Sequence, residues 1–328
     1  MTTPSHGAFI SFVIPLFNEA DGLLTFHESL VDQLTKNDIT HYEIIYCNDG
    51  STDQTAAIIG ELHAKNEAIR LLSLSRNFGK ENALSAGIAA ARGEAIITLD
   101  GDGQHPLELI PTFIQAWHDG AQVVIGVRTH NKGAGMVKRG GSRLFYKLFN
   151  LATGNQLEPG STDYRLIDKT VRRAFLELPE TDRMTRTLID WLGFRRVLIP
   201  FKANPRLHGS ERYSLSKLAN LAANSFISST PVPLYVFGYL GVFITLASTL
   251  SGLIIGIEQF IIGDPLGWRI TGTALLAMLL LFLVGIVLMS QGIISLYISR
   301  IQSQSRRRPL YVIDYSHSLG VTERRHDT

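Results

Sequence analysis

The chain has 328 residues, of which 45% are hydrophobic and 18% charged, and its formal net charge is +2. That composition excludes a disordered chain, which is apolar-poor and strongly charged. The near-neutral balance gives no case for a nucleic-acid binder, which carries a basic balance or face, and the length suggests about two folded units. The single cysteine, Cys47, rules out an intrachain disulfide. Met1 to Phe9 has neither the basic nor the apolar segment of a signal peptide.

Taken in chain order, Phe9 to Leu16 is a strand candidate, followed by a helix from about Ala20 to Leu34. Tyr42 to Cys47 is a second strand with a helix over Asp53 to Ala64, and Ile69 to Leu74 a third with a helix from about Asn82 to Ala91. Ala95 to Leu99 is a fourth with a helix from Leu107 to Trp117, and Gln122 to Val127 a fifth. This alternation predicts a mainly parallel sheet with helices on both faces. Ligands of such sheets sit beyond the carboxyl ends of the strands.

From Leu218 to Ile257, and again from Ile270 to Ser299, the chain carries no charge. Each run is long enough for a membrane span, which needs about 20 apolar residues. Before them, Leu215, Leu218, Ala222 and Phe226 recur at helical spacing, as in an amphipathic helix on a membrane surface or an extension of the span. The loop between the runs holds Glu258, Asp264 and Arg269, whereas Arg300, Arg306, Arg307 and Arg308 follow the second. Positive residues stay on the cytoplasmic side, so both termini and the large first part are expected there, with the two spans as a helical hairpin. The expected division is 1–213 for the α/β domain, 214–230 for the amphipathic helix, 231–299 for the spans (about 233–257 and 272–297) and 300–328 for a cytoplasmic tail, polar and loosely ordered from about Arg306.

The chemistry gathers at the strand ends. The first strand closes in Pro15-Leu16-Phe17-Asn18-Glu19, which taken alone reads as an ordinary strand–helix turn. The second closes in Asn48-Asp49-Gly50-Ser51-Thr52-Asp53. A carboxylate there can accept from a nucleotide base or ribose, Gly50 allows close backbone approach, and Ser51 or Asp53 can cap the next helix. The fourth closes in Asp100-Gly101-Asp102-Gly103-Gln104. Two hard oxygen ligands after a buried strand suit Mg²⁺ or Mn²⁺ bridging a diphosphate. Between them, Ser75-Arg76-Asn77-Phe78-Gly79-Lys80 offers cations to phosphate. No P-loop, G-x-G-x-x-G or zinc motif is present. Arg128, then Thr162-Asp163-Tyr164-Arg165, then Arg206 through Tyr213 follow, the last directly before the first apolar run. A lipid phosphate would sit there, or a positive patch would simply touch anionic lipid.

Together these motifs resemble family 2 glycosyltransferases of the GT-A fold, and within them the polyprenyl-phosphate glycosyltransferase group. Val13 through Glu19, Asn48 through Ser51, Arg76 through Lys80, Asp100 through Pro106, Asp163 through Leu166, Arg206 through Tyr213 and Arg308 through Ile313 run in the family's order. The resemblance implies a GT-A-like, Rossmann-like cytoplasmic domain with a transmembrane α-helical hairpin in the inner membrane. It implies inverting transfer of one sugar from a UDP- or GDP-sugar to undecaprenyl or dolichyl phosphate, with Mg²⁺ or Mn²⁺ as cofactor, and it admits a homo-oligomer.

By position, Pro15, Asn18, Glu19, Asp49, Lys80 and Asp100 would bind the nucleotide sugar. Asp100 and Asp102 would hold the metal. Asp163, Asp102 and Gln104 would be catalytic, with Asp163 as base or organiser of the acceptor phosphate. Arg128, Arg206, Ser210 and Tyr213 would contact the acceptor phosphate. Two departures from the family pattern stand out: Asn48 in place of Asp, and Gly103 in place of a common Leu, expected to loosen its loop. A processive polysaccharide synthase resembles the chain in its Asp motifs, but its Gln-x-x-Arg-Trp is missing near Trp191. A non-catalytic membrane scaffold is disfavoured by the retention of Asp49, Asp100, Asp102 and Arg206.

Overall fold

The computed structural model describes residues 7–129, 160–180, 183–204, 272–305 and 308–322, together with positions 243, 246, 250 and 257. The chain divides into two compact units, Met1–Arg212 with Pro309–Thr328, and Tyr213–Arg308.

The first unit is built on β1 (Ile10–Leu16), β2 (Tyr42–Asn48), β3 (Ile69–Ser73), β4 (Ala95–Thr98), β5 (Val123–Arg128), β6 (Ser161–Asp168) and β7 (Arg196–Phe201). They form one sheet in the order β3-β2-β1-β4-β6-β5-β7. Only β6 runs against its neighbours, pairing antiparallel with β4 and β5. This is a GT-A-like, mostly parallel sheet. The helices are α1 (Ala20–Lys36), α2 (Thr55–Lys65), α3 (Lys80–Ala90), α4 (Ile110–His118), α5 (Lys169–Glu177) and α6 (Thr185–Trp191).

Successive strand side chains point to opposite faces, and β1 shows it. Ile10, Phe12, Ile14 and Leu16 join a core with Phe26 and Leu30 of α1, Ile59 of α2 and Phe113 of α4. Val13 joins a second core with Leu84 of α3, Phe175 of α5 and Ile189 of α6. Buried on both faces, the strands read as near-continuous apolar runs.

The expected elements through β5 are present, most with ends shifted by a residue or two. The largest shift is α4, which starts at Ile110 rather than Leu107 because a 3-10 turn occupies Leu107–Leu109; α3 starts at Lys80 rather than Asn82 because Gly79, at φ 95, turns the chain into the helix. The tail differs from expectation. Residues 308–322 are not loose but lie along the outer edge of β3, bridging Leu71 to Leu319 and Leu74 to Ile313. Residues 300–305 belong to the preceding helix.

In the second unit, α7 (Gly272–Ser305) is helical over 34 residues, about 51 Å at 1.5 Å per residue. Only part of its side chains is described, and no helix among the described residues is long and apolar enough to cross a membrane. The expected amphipathic helix, and the first span apart from 243, 246, 250 and 257, lie outside the described residues.

Candidate active site

Chain order runs outward from β1 through β2 to β3, then returns to β4 on the other side of β1. Ligands of open α/β sheets bind at such a reversal. The pairing of β1 with β4 stops at Val13 and Thr98, while β1 stays paired with β2 to Leu16 and Asn48. The loops after β1, β2 and β4 therefore open around one cleft. Because β6 is antiparallel, its first residues lie at the same edge, which brings in Asp163.

Two of these loops are laced together. Asn18, at φ 55, accepts at Oδ1 from the Thr52 amide at 2.8 Å, and its own amide donates to Ser51 Oγ at 3.0 Å. The Glu19 amide donates to Thr55 Oγ1 and the Ala20 amide to Asp53 Oδ2. Asp53 also accepts from the Thr55 amide at the start of α2, where Gln54, and neither Ser51 nor Asp53, is the N-cap residue. Asn48 Oδ1 accepts from the Ser51 amide at 3.0 Å, which gives the asparagine a turn-forming role.

Asp49 is buried and grips the loop after β3. Its Oδ1 accepts from the Phe78 amide at 2.7 Å and its Oδ2 from the Gly79 amide at 2.9 Å. Burial raises its carboxyl above the ordinary range, against the opposing pull of those bonds and of Arg76. The close approach that Gly50 permits is to this same loop: a Cβ on Gly50 would come within 2.5 Å of the Arg76 carbonyl carbon.

Lys80, the first residue of α3, lies between Asp100 Oδ1 at 2.7 Å and Asp163 Oδ2 at 2.8 Å. Burial works to lower the Lys80 pKa, but the two carboxylates outweigh it and raise it. For Asp163, burial pushes the pKa up, while Lys80, with help from Arg186 and Arg165, brings it below the usual value. Asp163 Oδ1 is buried and has no hydrogen-bond partner among the described residues. Asp163 is thus ionised at neutral pH, with one buried oxygen unpartnered among the described residues.

The loop after β4 is shaped from beneath. His105 Nδ1 accepts from the Asp100 amide at 3.0 Å, and the ring stacks on Tyr164 with centroids 4.9 Å apart. Burial lowers the His105 pKa, so the ring is a neutral acceptor. Asp102 Oδ1 accepts from the Gln104 amide at 3.0 Å, and Gln104 O accepts from the Asn204 amide. Gly103 has φ 75. It therefore sets the turn in the left-handed region that glycine adopts without strain, rather than merely loosening the loop. A Cβ on Gly101 would press on Leu16 Cδ2 at 2.5 Å.

Comparison with known proteins decides what this site belongs to. The model for "Glycosyl transferase family 2" matches residues 11–176. An uncharacterized glycosyltransferase of Synechocystis is 37% identical over 304 residues, covering 93% of this chain and 94% of that one. The chain belongs to glycosyl transferase family 2. A prophage-derived bactoprenol glucosyl transferase of Shigella flexneri is 34% identical over 308 residues, 94% of this chain and 98% of that one. Among solved structures, mannosyl-3-phosphoglycerate synthase from Rubrobacter xylanophilus superposes with a TM-score of 0.49 at 18% identity, over 68% of this chain and 73% of that one.

In this family 2 glycosyltransferase, Pro15, Asn18 and Glu19 lie at the end of β1, Asp49 after β2, Lys80 at the start of α3, Asp100, Asp102 and Gln104 after β4, and Asp163 near the start of β6, all toward one edge of the sheet. Pro15 is the penultimate residue of β1, past the last β4 pair, where no ladder bond to β4 requires an amide donor. Arg128 is exposed at the end of β5, its amide bonded to Gly160 O at 2.8 Å. Arg206, Ser210 and Tyr213 lie outside the described residues.

Two contributors carry no role in the sequence reading. His105 falls within a quoted motif, and its position five residues after Asp100 is the signal that could have found it. Arg165 is buried and forked onto Asp190, with Nη1 to Oδ1 at 2.8 Å and Nη2 to Oδ2 at 3.3 Å, which fixes β6 and hence Asp163 against α6. The same Thr187 to Trp191 stretch that lacks the processive-synthase motif supplies this partner.

Proposed function

We propose that this glycosyltransferase moves a single sugar from a UDP- or GDP-linked donor to a polyprenyl phosphate at the cytoplasmic face of a membrane. The observation that carries the reading is the Asp100–Lys80–Asp163 cluster, with Asp102 beside it, at the sheet's reversal point. The mutual coverage of 94% and 98% with a relative named bactoprenol glucosyl transferase supports the lipid acceptor.

The donor set fits a divalent ion: Asp100 and Asp102 would hold Mg²⁺ or Mn²⁺, and Asp163 Oδ1 is a buried acceptor with no partner among the described residues. No group of three or more His, Cys, Asp or Glu that could hold a metal is found among the described residues. Mg²⁺ is commonly held by one or two carboxylates plus substrate phosphates and water, so two carboxylates suffice. When bound, the ion would supply charge neutralisation to the departing nucleoside diphosphate. The chain's own residues do the rest. The Asn18–Asp53 lacing and the Asp49 grip hold the loops around the nucleotide. Lys80 offers its ammonium to phosphate once it leaves one of its carboxylates.

The acceptor oxygen attacks the anomeric carbon from the face opposite the leaving diphosphate, forming the C–O bond as the donor C–O bond breaks, with inversion. A phosphate monoester has a second pKa near 6 and is largely ionised at pH 7, so no strong base is required. Asp163 then orients the acceptor or its counter-cation, and Gln104 faces the sugar. Arg128, Arg206, Ser210 and Tyr213 are proposed for the acceptor phosphate.

Membrane residence rests on α7, where Leu276, Leu280, Phe282, Val284, Val287 and Ile298 are all more than half exposed. An apolar surface of that extent calls for a non-aqueous neighbour. The arginines after it support a cytoplasmic tail and, with it, a cytoplasmic catalytic domain.

The test is to incubate the purified full chain with undecaprenyl phosphate, Mg²⁺ or Mn²⁺, and a panel of nucleotide sugars. A lipid-linked sugar from at least one donor is expected. No lipid-linked sugar with any donor refutes the assignment.

A further inference from the structure

The C-terminal segment is bound to β3 by more than its ends. The Leu71 amide donates to Leu319 O at 3.0 Å, the Leu319 amide to Leu71 O at 2.8 Å, and the Asp314 amide to Ser73 O at 2.8 Å. Between these bonds the segment makes a short turn over Tyr315–His317. Ser318 Oγ closes it, donating to Asp314 O at 2.7 Å and accepting from the Ser73 amide at 3.0 Å. Farther along, Gly320 O accepts from Arg70 Nε at 2.9 Å, and Arg70 is itself paired with buried Glu43. Ile313 and Val321 pack with Phe78 against the core beneath α3.

What gives this docking a functional reach is its last bond: the Ser75 amide donates to Val312 O at 2.9 Å. Ser75 is the residue before Arg76. The loop it opens is held at its far end by Asp49, through the Phe78 and Gly79 amides, and delivers Lys80 to the cleft. The donor loop is thus clamped at both ends, by β2 on one side and by the tail on the other.

We propose that residues 311–320 form a strap that positions the Arg76–Lys80 loop, so that the tail sets affinity for the nucleotide sugar without touching it. This rests on the donor-site reading above for its kinetic consequence but not for its structural one. A loop released at one end samples more conformations, and binding must then select the competent fraction.

The experiment compares the full chain with a chain ending at Arg308 and with the milder Leu319→Pro, which removes one donor to Leu71. Hydrogen exchange is read at Phe78 and Gly79, and KM and kcat are read for the nucleotide sugar. The strap predicts exchange at Phe78 and Gly79 faster by about tenfold, unchanged protection in β1, and a KM raised by about tenfold with kcat nearly kept. Wild-type exchange at Phe78 and Gly79 in both variants overturns it. So does loss of protection throughout β1 in both, which would make the tail a requirement of the fold alone. A full chain that transfers no sugar would refute the functional reading while leaving the exchange result to decide the strap.

Discussion

Asp102 and Asp163 are proposed to do different work. Asp102 is proposed to hold the metal that neutralises the leaving diphosphate, whereas Asp163, tied at one oxygen to Lys80, is proposed to orient the acceptor. Asp102→Ala should therefore cost several kcal/mol of barrier, about a thousandfold or more in kcat. Asp163→Asn keeps shape and should cost less than about a hundredfold, the scale of a misplaced reactant. Equal and total loss in both, measured as initial rates at saturating donor, would contradict this division. Asp49, Asp100 and Asp102 were legible in the sequence because each follows a short apolar run that could only be a strand. The Lys80–Asp163 pair was not, because its members are 83 residues apart and meet only through the reversed direction of β6. Nor was the use of Asp49, whose carboxylate is spent on two backbone amides rather than left bare.

Among the elements, α3 packs tightly on β1 and β2. A Cβ on Gly87 would collide with Val13 Cγ1 and Cys47 Sγ, and overpacking of this kind costs about 1–3 kcal/mol. Gly87→Ala should lower the thermal midpoint by several degrees, and an unchanged melt would show that α3 is not in contact with β1 and β2. On the opposite face, α1 carries buried His27, whose Nδ1 meets Tyr46 Oη at 2.9 Å. Burial lowers its pKa, against the opposing pull of Glu28. The unfolded chain then takes up the proton first as pH falls, so stability is full above about 6.5 and declines below it, by at most about 1.4 kcal/mol per pH unit for one group. His105 shifts in the same direction, so His27→Gln should lessen the acid slope of denaturant unfolding without abolishing it. A slope left untouched would remove His27 from the account. The elements through β5 were readable because apolar runs alternate with amphipathic stretches. From β6 to β7 they were not, since β6 interleaves Thr162, Asp163 and Arg165 with its core residues and finds its partners far along the chain. The tail carried part of the family resemblance in Arg308 through Ile313, but its order was not readable, because that order comes from bonds to the edge of β3 and not from its own pattern.

For the molecule as a whole, the modest excess of hydrophobic residues separates into two populations: an α/β unit buried in the ordinary way, and a second unit whose helix α7 exposes Leu276, Phe282, Val284 and Ile298. A nucleotide-sugar site at the sheet's reversal point and an acceptor presented by the bilayer are proposed to be joined by Arg206, Ser210 and Tyr213, on sequence position alone. An Arg206→Ala chain should keep donor binding and lose transfer, measured by calorimetry with the nucleotide sugar beside the transfer assay; loss of donor binding would move Arg206 to the other substrate. The central claim is tested most directly by the mass of the lipid product formed when the full chain, in vesicles containing undecaprenyl phosphate, is supplied with its nucleotide sugar and Mg²⁺ or Mn²⁺. One sugar added to the lipid monophosphate is the expected product. A ladder of several sugars, or free sugar with the lipid unmodified, would contradict it.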